Sequence, residues 1–346
     1  MTTSMHASPP LREPTGARRT VGWEDSRADW VDAAKGMGIV LVVIGHAIDG
    51  LTAAHLADPN DGWGAAYFAI YSFHMPLFFL LTGLFVSQRL DANPGAFVHD
   101  SLVRVAWPYL LWSVLQLAVI DMLGTLVNTP GALDAQRIVS LLWEPTSQFW
   151  FLQALLILHL LSAAALPRIG VLALLAFMVA ARVVIEVVEL PHLVALPARF
   201  GVFYALGVAL GPHLLERFAT RRAQWATAMA AAAIWLACSA PVFLAGLSHW
   251  SLAALPAAVA GTVAVLALAT HQGADSLWCA LGRASMAIYV LHVLFVAGTR
   301  ITLHRVLGID QPVVLLALAC GAGIVGPWLL RDAVRRAGLG RALGLG

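Results

Sequence analysis

Residues 32–46 read DAAKGMGIVLVVIGH. Ten consecutive residues without charge separate Lys35 from His46. Continued to residue 54, the stretch is long and apolar enough to cross about 30 Å of hydrocarbon as a helix. Lys35 and His46 are 11 residues apart. At about 100° per residue that is three turns plus roughly 20°, so both lie on one stripe, about 16 Å apart along the axis. Lys35 falls at the mouth of the helix and His46 near its middle. Asp32, one turn before Lys35, is placed to pair with it. A snorkelling lysine and a packed histidine would give the same pattern.

The rest of the chain has the same character. Of 346 residues, 60% are hydrophobic and 12% charged, about half the charge of a soluble domain. Mean hydropathy is +0.80. This excludes a soluble globular protein, a disordered chain and a coiled coil. The net charge of +2 and the lack of a basic, aromatic-interleaved run argue against a nucleic-acid partner. Cys238, Cys279 and Cys320 have no C-x-x-C spacing and read as embedded thiols.

Ten apolar segments are expected as helices, at about 36–54, 65–88, 102–127, 148–166, 169–188, 196–215, 223–245, 250–270, 277–298 and 312–332. Of the 21 basic residues, twenty are arginine and one is Lys35. With the N-terminus inside, sixteen fall in inside regions, four in outside loops (Arg137, Arg199, Arg300 and Arg305) and one, Arg182, within a segment. By the positive-inside rule this predicts an all-α polytopic membrane protein of about ten transmembrane helices, both termini cytoplasmic, in the inner membrane. Residues 1–28, polar and Pro-containing, read as a disordered tail. Residues 29–334 form the membrane domain, and 335–346 a short basic tail.

Ionisable side chains inside a bilayer are costly and mark function by default. The second segment contains YSFHMPLFFLLTG, residues 71–83. His74 lies about 14 Å from its outer end, near the depth of His46. Pro76 is expected to kink this helix. The ninth segment carries Ser285, Tyr289 and His292, with Ser285 and His292 on one face. Arg104, Trp107, Pro108 and Tyr109 open the third segment, and Trp150 heads the fourth. An arginine there can meet phosphate, though it is more often a positive-inside anchor, with Trp107 and Trp150 in an interfacial aromatic belt. His159, Arg182 and Glu186 are further intramembrane polar groups; the last two, at i,i+4, are expected to neutralise each other. No hydrolase elbow, Walker loop, dinucleotide fingerprint or H-E-x-x-H occurs.

At these residues the sequence resembles the acyltransferase 3 family of integral membrane acyltransferases, and is most similar to the branch grouped with fucose 4-O-acetylases. Lys35 to His46 fits its Arg/Lys-x10-His pattern, and Phe73 through Gly83 its F-H-M-P-L-F-F-x-x-x-G stretch. Arg104 with Pro108-Tyr109, Trp150-Phe151-Leu152, and Gly282, Ser285, Ile288, Tyr289 and His292 follow in order. Two departures stand out. Lysine occupies the first position, and Ser101 replaces the first arginine of a common R-x-x-R pair. The resemblance implies O-acyl transfer, usually of acetyl, from cytoplasmic acyl-CoA. The acceptor is a hydroxyl on a glycan, a lipid-linked sugar or a small molecule.

On that implication His46 is the general base or a transient acyl carrier, and Lys35 orients the donor with Asp32 behind it. His74 and His292 hold the acceptor or polarise the thioester. Arg104, Lys35 and Tyr109 contact acyl-CoA, and Trp150, Ser285 and Tyr289 support the site. No resident cofactor or metal is expected; acyl-CoA is a substrate. The competing reading is a transporter or proton-coupled carrier, since mid-membrane histidines also suit proton relays.

Overall fold

The computed structural model describes residues 29–128, 133–219 and 224–345. Every regular element among them is helical. The expected tail 1–28 lies outside the described residues.

Helix α1 (Asp29–Ala53) is the central pillar. The second span is broken into α2 (Gly64–Tyr71), α3 (His74–Gly83) and α4 (Val86–Ala92). The third comprises α5 (Pro94–Ser101), one wide turn, and α6 (Trp107–Leu123). A short helix α7 (Ala135–Ser140) lies in the next connection. Then come α8 (Trp150–Val184), α9 (His192–Ala219), α10 (Trp225–Leu244) and α11 (Leu255–Ala269). The chain ends with α12 (Leu277–Arg283), α13 (Ser285–Ile301) and α14 (Pro312–Arg336).

Local chemistry sets the boundaries. Asn93 caps the Ala96 amide at 2.9 Å with Pro94 as the first helical residue of α5. Asp134 caps the Arg137 amide at 2.7 Å, and Ser276 caps the Cys279 amide at 3.2 Å. Pro312 opens α14, where its missing N–H costs nothing.

Nine helical stretches among the described residues are long and apolar enough to cross a membrane. The longest, Ser147–Val184, has 38 residues. It is two crossings. Gly170 has φ +77°, and the helix stops and reverses there. A straight α8 would be about 50 Å long. Yet the Trp150 ring, at its start, is 6.3 Å from the Trp250 ring, and Arg182 Nη2, near its end, donates to the Trp250 carbonyl at 2.6 Å. The two ends therefore meet at one place, which makes ten crossings among the described residues. An even number puts the start of α1 and the end of α14 on one face, called here the terminal face. Met122, Leu172, Val187 and Leu244 are 80% or more exposed, as expected of side chains facing lipid.

Several expected boundaries shift. The third span starts at Pro94 rather than near 102, so Arg104 lies a few turns inside it. The ninth starts at Ser285, because Leu277–Arg283 is a separate short helix against α1. That seam is backbone on backbone. A Cβ on Gly36 would sit 2.0 Å from the Trp278 carbonyl oxygen, and one on Gly282 would sit 1.8 Å from the Asp32 carbonyl oxygen. Cys279 Sγ donates to the Asp29 carbonyl at 3.2 Å on the same seam.

Two segments outside the spans are drawn into the bundle. Beyond α14, the stretch assigned to the C-terminal tail packs on α6. The Trp107 and Trp112 indoles donate to the carbonyls of Ala342 and Leu343 at 2.8 and 2.9 Å, and Leu345 is buried. On the opposite face, residues 133–149 dip inward. Tyr109 and Tyr289 hydroxyls donate to the Leu141 and Gln148 carbonyls, and Gln148 bonds the Gln116 side chain at 2.9 Å. Irregular backbone at membrane depth is tolerated only when its polar groups are satisfied in this way.

Candidate active site

The sequence places His46 and His74 at similar depth and His292 on a third helix, and the fold brings the three rings into one cluster. The His46 and His292 centroids are 5.0 Å apart. Tyr71 bridges His46 to His74. Its hydroxyl is 3.5 Å from His46 Nδ1, and its ring is 4.6 Å from the His74 ring.

The local chain explains how each ring is held. The second span breaks at Ser72–Phe73, just upstream of Pro76, which cannot donate to residue 72 and crowds its carbonyl. The kink expected at Pro76 is thus a break four residues earlier, and α3 begins at His74. The Ile70 carbonyl at the break accepts from His74 Nδ1 at 2.9 Å. His292 Nδ1 lies 3.1 Å from the Ile288 carbonyl and 2.8 Å from the Tyr289 carbonyl. Carbonyls only accept, so Nδ1 carries the proton in both neutral rings and Nε2 presents a lone pair. His292 is buried, and its Nε2 has no hydrogen-bond partner among the described residues.

His46 forms part of the floor of a cavity of about 590 Å³. The cavity lies toward the face opposite the termini. Asp49 and Gly50 from α1, Gln116 from α6, Asn128 just beyond α6, Arg137 from the inward-dipping connection, and Arg300 from α13 line it. Arg137 is offset by Glu144 at 3.5 Å and bonds Ser140 and Thr146.

The remaining expected site residues occupy distinct places. Asp32 is buried and Lys35 half-buried at the terminal-face end of α1. Tyr109 is buried, with its hydroxyl committed to Leu141. Tyr289 is buried between the Phe149 and Phe151 rings and reaches Gln148. Ser285 starts α13, about 10 Å below His292. Trp150 packs with Phe79, Phe200 and Trp250, one layer outside the histidines. Arg104 is exposed, 4.0 Å from Asp100, which also takes Arg89 at 2.5 Å. Arg182 does pair with Glu186.

Sequence reasoning missed four members of the neighbourhood. Tyr71 and Tyr67 stack at 3.9 Å, and the His249 ring lies 5.5 Å from Tyr71. Asp49, one turn beyond His46, lines the cavity. Burial and the nearby Arg199 cation lower His249 to about 4, from an ordinary value of 6.5. No group of three or more His, Cys, Asp or Glu side chains among the described residues could hold a metal ion.

The comparisons with known proteins give the family. Residues 28–332 match the model of a family described as an acyltransferase domain. The chain belongs to the acyltransferase 3 family. It is 34% identical over 137 residues to Nodulation protein NolL of Sinorhizobium fredii, and 32% identical over 135 residues to Nodulation protein NolL of Mesorhizobium japonicum. Each match covers 38% of this chain and 34% of the relative, so it spans about a third of the curated proteins. No solved structure matches.

Within this acyltransferase 3 chain, the unusual Ser101 has a use of its own. Its hydroxyl lies 3.1 Å from His159 Nδ1 and donates to the Phe97 carbonyl at 2.8 Å. Through it this chain joins α5 to α8 by a buried contact.

Proposed function

We propose that the chain is an O-acyltransferase of the inner membrane. It moves an acyl group, acetyl in the simplest case, from cytoplasmic acyl-CoA to a hydroxyl of a glycan, a lipid-linked sugar or a small molecule. One observation carries the reading. His46 sits in the cavity floor against His292 and Tyr71, on the same helical stripe as Lys35.

A hydroxyl is a poor nucleophile near neutral pH and needs a base, and imidazole titrates in the right range. His46 removes the acceptor proton as the oxygen attacks the thioester carbonyl. The C–S bond breaks, the CoA sulfur leaves with the electron pair, and the proton on His46 passes to it. The lone pair on His292 Nε2 favours the protonated His46 ring, as a buried acceptor does behind a catalytic histidine. Tyr71 orients the His46 ring, and His74 orients Tyr71. Lys35, about 16 Å toward the terminal face, holds the donor as its arm runs up α1.

The test is acetyl transfer from labelled acetyl-CoA to candidate acceptors by purified protein in proteoliposomes. His46→Ala is expected to lower the rate by at least about 100-fold. Wild-type transfer by that variant would remove His46 from the mechanism.

A further inference from the structure

Arg300 is read from sequence as an outside-loop cation, but it lies within α13 and is only 6% exposed. It lines the same cavity as His46. Its Nη2 donates to Asn128 Oδ1 at 2.9 Å, and Asn128 Nδ2 in turn donates to the Gly50 carbonyl at 3.2 Å. Its Nε is buried and has no hydrogen-bond partner among the described residues. No carboxylate among them comes within ion-pair distance of it. Arg137, across the cavity, has Glu144. The two arginines differ in what offsets their charge: Arg137 has a carboxylate and Arg300 has none among the described residues.

A buried guanidinium with a vacant donor is expensive, and it is kept where something else supplies the anion. Its fork is built for planar carboxylate or for phosphate. Its place is also informative. A Cβ on Gly50 would be 3.9 Å from Arg300 Nε, and Gly50 is one turn beyond His46. An anion on Arg300 therefore lies about 6 Å outward of the histidine. That is the separation between an acidic group and a ring hydroxyl within one sugar.

We infer that the cavity binds an acidic hydroxyl acceptor, with its carboxylate or phosphate on Arg300 and a hydroxyl presented to His46. The placement of the hydroxyl rests on the acyl-transfer reading above; the recognition of the anion does not. Asn128 is a positioning residue that holds the guanidinium through Nη2 and leaves Nε and the remaining donors to the ligand.

The experiment is calorimetric titration of the purified full chain in phosphatidylcholine nanodiscs. The probes are methyl β-glucuronide, glucose 1-phosphate and the neutral methyl β-glucoside. At least one acidic probe is expected to bind tenfold or more tightly than the neutral one. Arg300→Gln should weaken that binding by at least about 30-fold, and Arg300→Lys by less. Asn128→Asp sets a carboxylate against Nη2 and should block the acidic probe even if Arg300→Gln folds poorly. Nanodiscs of phosphatidylglycerol should leave the binding unchanged; its loss there would assign Arg300 to a lipid headgroup and overturn the proposal. Equal binding of the neutral sugar, no binding of either acidic probe, or unchanged binding in Asn128→Asp would overturn it as well. Acetyl transfer is not read here. A failed transferase assay would sink the proposed activity and leave this result standing.

Discussion

His74 and His292 are each tied through Nδ1 to a carbonyl of their own chain, three or four residues back, whereas His46 makes no backbone bond among the described residues. Its only hydrogen-bonding neighbour among them is the Tyr71 hydroxyl, at the long distance of 3.5 Å. A ring bonded to its own helix has a fixed tautomer and a fixed direction. A ring that leans on another side chain can take and release a proton with little rearrangement. The three histidines share a residue type and a depth, and they differ in freedom. On the proposed mechanism, that difference is the reason to put the moving proton on His46 and to give the other two supporting roles.

Four outcomes would break or sharpen this contrast. The largest is His46→Gln, expected to remove at least about 100-fold of the acyl-transfer rate because an amide cannot act as a base near neutral pH. Next are His74→Asn and His292→Asn, in which the amide nitrogen keeps the Nδ1 bond and the Nε2 lone pair is lost. Each should fold normally and lose about 10- to 100-fold in transfer, while the corresponding Gln variants lose the backbone anchor and also lower the melting temperature. If the Asn variants transferred at the wild-type rate, the lone pairs would have no part in the chemistry. Smaller is Tyr71→Phe, expected to cost a few-fold in kcat with KM nearly unchanged, since the ring stays and only the hydroxyl's contacts with His46 and Tyr67 are removed. Smallest is His249, at the edge of the cluster. Its folded value of about 4 lies below the ordinary 6.5, so below pH 6.5 the unfolded chain takes up a proton that the folded chain refuses. The stabilisation is full above pH 6.5 and is lost as the pH falls toward 4. A thermal melt across that window should show a fall that His249→Gln makes shallower, with little effect on transfer at pH 7.

Much of this centre is legible in the sequence, for a physical reason. Lys35, His46, His74 and His292 are polar residues in apolar helices, and helical periodicity fixes their depth and face without tertiary information. The division of residues 148–188 into two crossings is legible too, because the stretch is too long for one, although the turn itself, at Gly170, falls inside the segment expected at 169–188. The missed residues are those whose role depends on what another segment does. Tyr71 has the composition of an interfacial aromatic until the break after it turns the ring toward His46. Asp49 and Arg300 lie at span ends and count as flanking charge until residues 133–149 fold inward and close a wall around them. The resemblance implies a donor contact for Tyr109, and that same inward fold takes its hydroxyl for the Leu141 carbonyl. A connection that enters the bundle leaves no periodic mark.

The seam between α1 and α12 has a mechanical consequence. With Gly36 on the Trp278 carbonyl and Gly282 on the Asp32 carbonyl, the helices touch through their main chains and leave no side chain between them to compress or swing. The end of α1 that carries Lys35 is a fixed post. The α6 wall, by contrast, is held to the chain beyond α14 through side chains, the indole hydrogen bonds of Trp107 and Trp112, so on the proposed mechanism a bulky donor that passes the post finds its clearance there.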